Sequence, residues 1–243
     1  ASLVWNEGWT REPLKVPVAE LEEMRIPAMG LLPQGELANS PTQPLMIPKG
    51  TFGPLGGQMI IGEMNQNLLV RFLPEQIGGV SQGAAIPFLQ TSALGRGNHR
   101  LAFTRDGSLW IGKTHLSWAG ANGLVRVRLR EDRSDILVIE QVKLVENGFS
   151  LRFSLPIDGK TLAGLKVRRH TYKYHAAYGS PKVDEAEIVP TEIRILPESP
   201  TVVIKLPDLL EGYVYTLHLP AVTSTSGNPL LGDRVYYTLL RKH

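Results

Sequence analysis

The sequence predicts an all-β chain, and three observations predict it. First, residues 101–112 (LAFTRDGSLWIG) alternate Leu101 and Phe103 against Ala102 and Thr104, then Leu109 and Ile111 against Trp110, with Asp106-Gly107 between them. That is a hairpin of two-faced strands around a turn that admits positive φ. Second, the pattern recurs about 40 residues earlier, the length that four short strands and their turns occupy in a propeller blade. Third, after Glu146-Asn147-Gly148 the chain becomes a series of short strand-like runs separated by Pro, Gly and Asp turns, the spacing of a β-sandwich. The expected architecture is a partial β-propeller of about three blades over residues 1–148, followed by a sandwich over residues 149–243.

The elements follow in order. The first 35 residues are irregular apart from a helical candidate at residues 18–24, where Leu21 and Met24 could pack inward. Residues 57–73 hold an apolar strand ending at Gly62, a polar turn at Asn65-Gln66-Asn67 and a second strand, with residues 80–89 as a third. Gly-rich connections at residues 78–79, 95–97 and 120–123 punctuate the region up to Leu129, and residues 136–144 form one more strand. Beyond Gly148, strands are expected at residues 149–155, 165–175, 187–196, 202–206, 213–219 and 235–240. Tyr213, Tyr215, Leu217 and Leu219 share one face, opposite Val214, Thr216 and His218.

Composition bounds the function classes. The chain has 243 residues, 24 Gly, 18 Pro and a net charge of +3, and it contains no cysteine. Disulfides, thiolate metal sites, cysteine nucleophiles and haem attached through C-x-x-C-H are therefore excluded. No apolar run approaches the roughly 20 residues that cross a bilayer as a helix. Arg168, Arg169 and Lys173 make the densest basic cluster, but neighbouring strand residues point apart, so the expectation is a solvated strand with no nucleic-acid interface and no membrane span. Asp184, Glu185 and Glu187, like Glu20, Glu22 and Glu23, lack the spacing of a Ca²⁺ loop, and no G-x-S-x-G, H-E-x-x-H, P-loop or dinucleotide glycine motif occurs.

Residues 201–231 (TVVIKLPDLLEGYVYTLHLPAVTSTSGNPLL) resemble the closing half of bacterial Ig-like modules: Gly212 starts a strand, Tyr213 and Tyr215 enter the core, and Gly227-Asn228-Pro229 makes the last turn. The resemblance covers residues 149–243 and implies a module that spaces or docks its neighbours. More of the chain resembles large secreted bacterial proteins of the sorbosone or glucose dehydrogenase-like group, in which a propeller precedes such a module and some members add a cytochrome c domain. The matching pieces are ASLVWNEGW at Ala1, ANSPTQPL at Ala38, FGPLGGQMIIGE at Phe52, GNHRLAFTRDGSLWIG at Gly97 and YKYHAAYGSP at Tyr172. The resemblance implies a periplasmic or secreted location and a chain starting inside the propeller. It also implies a second polypeptide supplying the missing blades, and a cytochrome c or a sugar as further partners.

Two groups of residues are candidates for chemistry. Quinoprotein propellers hold pyrroloquinoline quinone on Arg and Lys, a Ca²⁺ ion on oxygen ligands, and use a His as base. The matching set here is His99 and Arg100 as catalytic candidates, with Asn98, Lys113 and His115 as cofactor-binding ones and Trp118 in the loop beyond. The group of resembling proteins usually has Asn where His99 stands. Polar residues at strand ends on a solvated rim are the plainer reading of the same set. The second group is Tyr172, Tyr174, His175 and Tyr178 beside Gly179-Ser180-Pro181, either a sugar-facing surface or a hydrogen-bonded domain junction. The expected role of the chain is scaffold and partner surface within a sugar dehydrogenase-like protein; the alternative is a non-catalytic module that binds carbohydrate or protein.

Overall fold

Turn chemistry and alternation set the strands of this protein. A computed structural model describes residues 2–3, 17–116, 119–130, 135–175 and 179–243. The N-terminal part holds β1 (Ser2–Leu3), α1 (Val18–Met24), β2 (Arg25–Ile26), β3 (Pro41–Met46), β4 (Met59–Glu63), β5 (Leu69–Ile77), β6 (Val80–Phe88), β7 (Asn98–Phe103), β8 (Leu109–Leu116) and β9 (Ala119–Val127). Then come β10 (Ile139–Val145), β11 (Gly148–Phe153), β12 (Lys166–Thr171), β13 (Val183–Ile188), β14 (Glu192–Ile195), β15 (Thr201–Lys205), β16 (Tyr213–His218) and β17 (Arg234–Leu239). The protein is thus all-β with several antiparallel sheets, none of them closed.

β3 to β6 form a consecutive meander. Its tightest corner is Gly78-Gly79, where Ile77 opposes Val80 and both glycines sit at positive φ, 51° and 82°, as a two-residue hairpin loop demands. β7, β8 and β9 form a second meander that packs against the first over Ile47, Ile60, Leu69, Phe88, Leu101 and Ile111. Gly62 permits that approach, since a Cβ there would lie 2.4 Å from the Asn98 carbonyl oxygen. The expected Asp106-Gly107 hairpin is present with a longer loop: Phe103 opposes Leu109, and the Asp106 carboxylate accepts from the Thr104 hydroxyl (2.6 Å) and from the Ser108 amide and hydroxyl (both 3.1 Å). These hydrogen bonds, that of the Thr104 hydroxyl foremost, hold the Asp106 carboxyl well below the usual carboxylate range.

The C-terminal strands form two facing layers, β10-β11-β15-β14 and β13-β12-β16-β17. Between them lie Phe149, Leu151, Phe153, Val202, Ile204, Tyr215, Leu217 and Tyr237, all essentially buried. The alternation expected in β16 holds, with Tyr215 and Leu217 inward and Thr216 and His218 outward. Residues 187–196, expected as one strand, are two: Pro190 lies between β13 and β14, and the chain changes sheet there.

The second layer continues into the N-terminal meander. β17 pairs with β6 through Tyr236 opposite Ala85, Tyr237 opposite Ala84 and Thr238 opposite Gly83, giving one eight-stranded sheet in the order β13-β12-β16-β17-β6-β5-β4-β3. Gly148, the expected boundary, therefore has strands of one sheet and one core on both sides of it, for Leu73, Ile77, Ala84 and Ile86 share the core of Phe149 and Tyr237. One flank of β6 is thus covered by β17 of the same chain. Where about three blade-like sheets were expected over residues 1–148, the described residues hold two meanders.

A buried polar chain ties the junction together. The Tyr237 hydroxyl donates to Glu75 Oε2 (2.6 Å) and accepts from Gln82 Nε2 (2.8 Å), while Glu75 also accepts from the Leu144 amide (2.9 Å). Burial, with Glu75 adding to it, pushes the Tyr237 phenol far up, so it stays a donor. Replacing Tyr237 with Phe leaves two buried groups short of a partner. The expected cost is about 1–3 kcal/mol, read as a lower denaturant midpoint with an unchanged slope.

Candidate functional site

Of the rim set expected from the sequence, Asn98 and Lys113 are brought together as internal structure. Asn98 opposes Lys113 in the β7–β8 ladder, and Asn98 is fully buried. Its Nδ2 donates to the Gly95 carbonyl (3.0 Å) and more weakly to those of Gln66 and Leu68 (both 3.4 Å). The Lys113 ammonium donates to Leu94 O (2.5 Å), Arg96 O (2.6 Å) and Asn98 Oδ1 (3.0 Å), which accounts for its three protons. Burial lowers the Lys113 pKa. Both side chains thus staple the 94–98 loop to β8. Arg100 and His115 are exposed and His99 is half-buried on the same small sheet. Trp118 lies outside the described residues, and among those described no group of three or more His, Asp or Glu side chains is arranged to hold a metal ion.

The second expected group is divided. Tyr172 places its hydroxyl 3.1 Å from His170 Nε2, the two rings meeting edge to face at 5.1 Å between centroids. Tyr174 instead lies under the Arg25 guanidinium, 5.0 Å from centroid to Cζ, and His175 is half-buried. Tyr178 lies outside the described residues. Tyr172 is raised to about 12 by burial, with Glu36 and Glu185 adding to it.

What the sequence reading missed is the surface on which His170 sits. In an antiparallel ladder, residues directly opposite one another share a face, and residues two apart along a strand share it too. On the outer face of β12, β16 and β17 this places Lys166, His218 and Arg234 in one row, and Arg168, Thr216 and Tyr236 in the next. Glu187 of β13 extends the second row, and His170 opposite Val214 begins a third. These rows floor a cleft of about 730 Å³. Lys182 and Glu36, joined as an ion pair, stand on its wall, and Ala186 is the one apolar side chain among its lining residues. The segment around Leu37 and Ala38 packs on the same face beside Val214 and Tyr236.

The charges of this cleft are unevenly satisfied. Asp233 holds both Arg234 Nε and His218 Nε2 at 3.4 Å. Lys166 and Arg168 have no ion-pair partner among the described residues. Arg169 points away from Arg168, as strand alternation requires, and stacks over Tyr213 at 5.5 Å. Tyr236 is 1% exposed; the Arg234 guanidinium lies close enough to its hydroxyl for a weak hydrogen bond, but no group meets full hydrogen-bond geometry there. The alternation of β12 and β16 was legible in the sequence, but not that β17 lies beside them.

Comparisons with known proteins add little to this geometry. No protein-family profile and no curated protein matches the chain. Among solved structures it is similar to the N-terminal part of the bacterial S-layer protein SbsC, with 18% identity and a TM-score of 0.34, over 44% of this chain and 24% of that one. It is likewise similar to the S-layer protein rSbsC(31-844), with 17% identity and a TM-score of 0.35, over 46% of this chain and 15% of that one. The chain thus spans a quarter or less of the length of the structures it matches.

Two outcomes are expected of these side chains. Burial, with Lys182 adding to it, lowers His170 to about 4 from its ordinary 6.5, against the opposing pull of Glu36 and Glu185. The unfolded chain therefore takes up a proton below pH 6.5 that the folded one refuses, and stability drops as pH falls until about pH 4, by up to about 3 kcal/mol. Urea midpoints measured from pH 7 to pH 4 should show this slope, and His170→Gln should flatten it. For the loop, Lys113→Met removes the donor to three acceptors and should cost about 1–2 kcal/mol in thermal or chemical unfolding with no cofactor added.

Proposed function

We propose that this chain is a non-catalytic scaffold and binding surface, standing at the C-terminal end of a larger secreted or periplasmic propeller protein of the sugar dehydrogenase-like group. Its ligand-facing surface is the cleft over β12, β16 and β17. The observation that carries this reading is the contrast between two polar clusters. Asn98 and Lys113 direct their hydrogen-bonding groups into their own loop, whereas Lys166 and Arg168 leave theirs to solvent in a concave site. A cofactor carboxylate at Lys113 would have to displace three existing bonds, which does not suit a quinone site.

Strand order supports the finer reading of the C-terminal part as an Ig-like sandwich. Layers ordered β10-β11-β15-β14 and β13-β12-β16-β17 follow the Ig-like A-B-E-D and C′-C-F-G arrangement. The Tyr215 hydroxyl accepts from the Leu210 amide (2.7 Å) where the chain turns into β16, as the tyrosine corner of such domains does. The two meanders packed face to face are compatible with neighbouring blades, the first of them joined to the sandwich through β6 and β17. In this reading a cytochrome c partner and any quinone and Ca²⁺ belong to other parts of the assembly.

Two measurements on the purified chain test the proposal together. Addition of pyrroloquinoline quinone and Ca²⁺ should give no sugar-dependent dye reduction, and a glycan array should give a signal that Arg168→Glu abolishes. Sugar-dependent turnover that His99→Ala removes would overturn the scaffold reading in favour of a catalytic one.

A further inference from the structure

The binding reading above leaves the ligand open, and the inference that follows rests on it and names the ligand class. The rows of the cleft set the chemistry. Adjacent strands lie about 4.8 Å apart, so Lys166, His218 and Arg234 span roughly 10 Å along one row. Like charges directly opposite one another destabilise a sheet. Asp233 pairs with Arg234 and touches His218, which leaves Lys166 and, one row away, Arg168 with no ion pair among the described residues, although Glu187 of β13 lies directly opposite Arg168.

At the other side of the floor the character changes. Tyr236, 1% exposed, carries a hydroxyl that no group meets at full hydrogen-bond geometry, Arg234 being its one near neighbour among the cations, although buried polar groups in folded proteins are nearly always satisfied. Thr216 lies between Arg168 and Tyr236 in the same row and offers a second hydroxyl, while on the cation side Glu187, directly opposite Arg168, and Glu185 offer carboxylate acceptors along β13. A ligand that satisfies this cleft carries an oxyanion for the β12 cations and hydroxyl groups on either side of it, toward Thr216 and toward the β13 carboxylates. A peptide would want apolar pockets for its side chains, and the lining residues supply none, Ala186 being the sole apolar one. The volume, about 730 Å³, is that of a small-molecule site.

We propose that the cleft binds an acidic saccharide, its carboxylate on Lys166 and Arg168 and its hydroxyls on Thr216, Tyr236 and the β13 carboxylates. The pairing resembles other carboxylate recognition by cations, strengthened where the site is concave and weakened by salt.

Calorimetric titration with tetragalacturonate, maltotetraose and inorganic phosphate tests it. Tetragalacturonate should bind at least about tenfold more tightly than either of the others, and more weakly as salt rises from about 20 to 300 mM. Lys166→Gln and Arg168→Gln, both at exposed positions, should each weaken it severalfold, and Tyr236→Phe should do so at both salt concentrations. Equal binding of maltotetraose overturns the acidic specificity while leaving the carbohydrate-binding reading intact. Phosphate binding as tightly as tetragalacturonate overturns the saccharide, since the cations then take any oxyanion. Binding of tetragalacturonate that survives both Gln substitutions overturns the site. Absence of tetragalacturonate binding overturns the inference, and the glycan array then decides separately whether the broader reading survives.

Discussion

The pairing of β17 with β6 is the constraint on which the rest of the structure depends. It joins strands that are far apart in sequence into one sheet, and one side chain on the β6 side finishes the seam: Gln82 accepts from the Leu240 and Arg241 amides (2.9 and 2.8 Å) and donates to the Tyr237 hydroxyl. With Gln82 fully buried, its amide supplies the hydrogen bonds that the chain end would otherwise seek from water. Without the seam β17 would be an edge held by β16 alone, and Leu73, Ala84 and Ile86 would be parted from the layer they pack with.

Polar groups elsewhere in the interior follow one rule. Arg71, fully buried, donates through Nη1 to Gln58 Oε1 (2.7 Å) and to the Ile139 carbonyl (3.0 Å), bridging β5 to β10 of the facing layer. Burial lowers its pKa to about 10, which still leaves it charged at neutral pH. Glu63 accepts from the Asn39 and Ser40 amides and from that of Gln66, fixing the loop before β3 and the turn after β4. Each of these side chains serves backbone that would otherwise be orphaned. The rule has exceptions: Arg71 Nε and Nη2, like the Tyr236 hydroxyl of the cleft, are buried with no partner at hydrogen-bond geometry.

Much of the strand layout was legible in the sequence because period-two alternation and turn residues are local signals. Residues 213–219 declared their inward and outward faces through Tyr215, Leu217, Thr216 and His218, and the helix at residues 18–24 was read with the bounds it has. β3 was not read, because Pro41 and Pro44 argue against a strand and only an edge position tolerates them. The single strand expected at residues 187–196 hid a sheet change at Pro190, which local pattern does not encode. The β6–β17 pairing was invisible for a similar reason: register between distant segments is decided by packing. Hence the sequence pointed to Asn98 and Lys113, whose residue types stand out, and passed over Lys166, Arg234 and Tyr236, whose meaning lies in their being neighbours across strands.

The two ends of the eight-stranded sheet differ in composition and agree in effect. At one end β3 has proline at two of its six positions, so its row of amide donors is broken; at the other, β13 carries Asp184, Glu185 and Glu187. An incoming strand meets missing protons on one side and concentrated negative charge on the other. Growth of this sheet into a fibril or a swapped oligomer is discouraged at both termini, which leaves its broad outer surface, and not its margins, as the place where another molecule can settle.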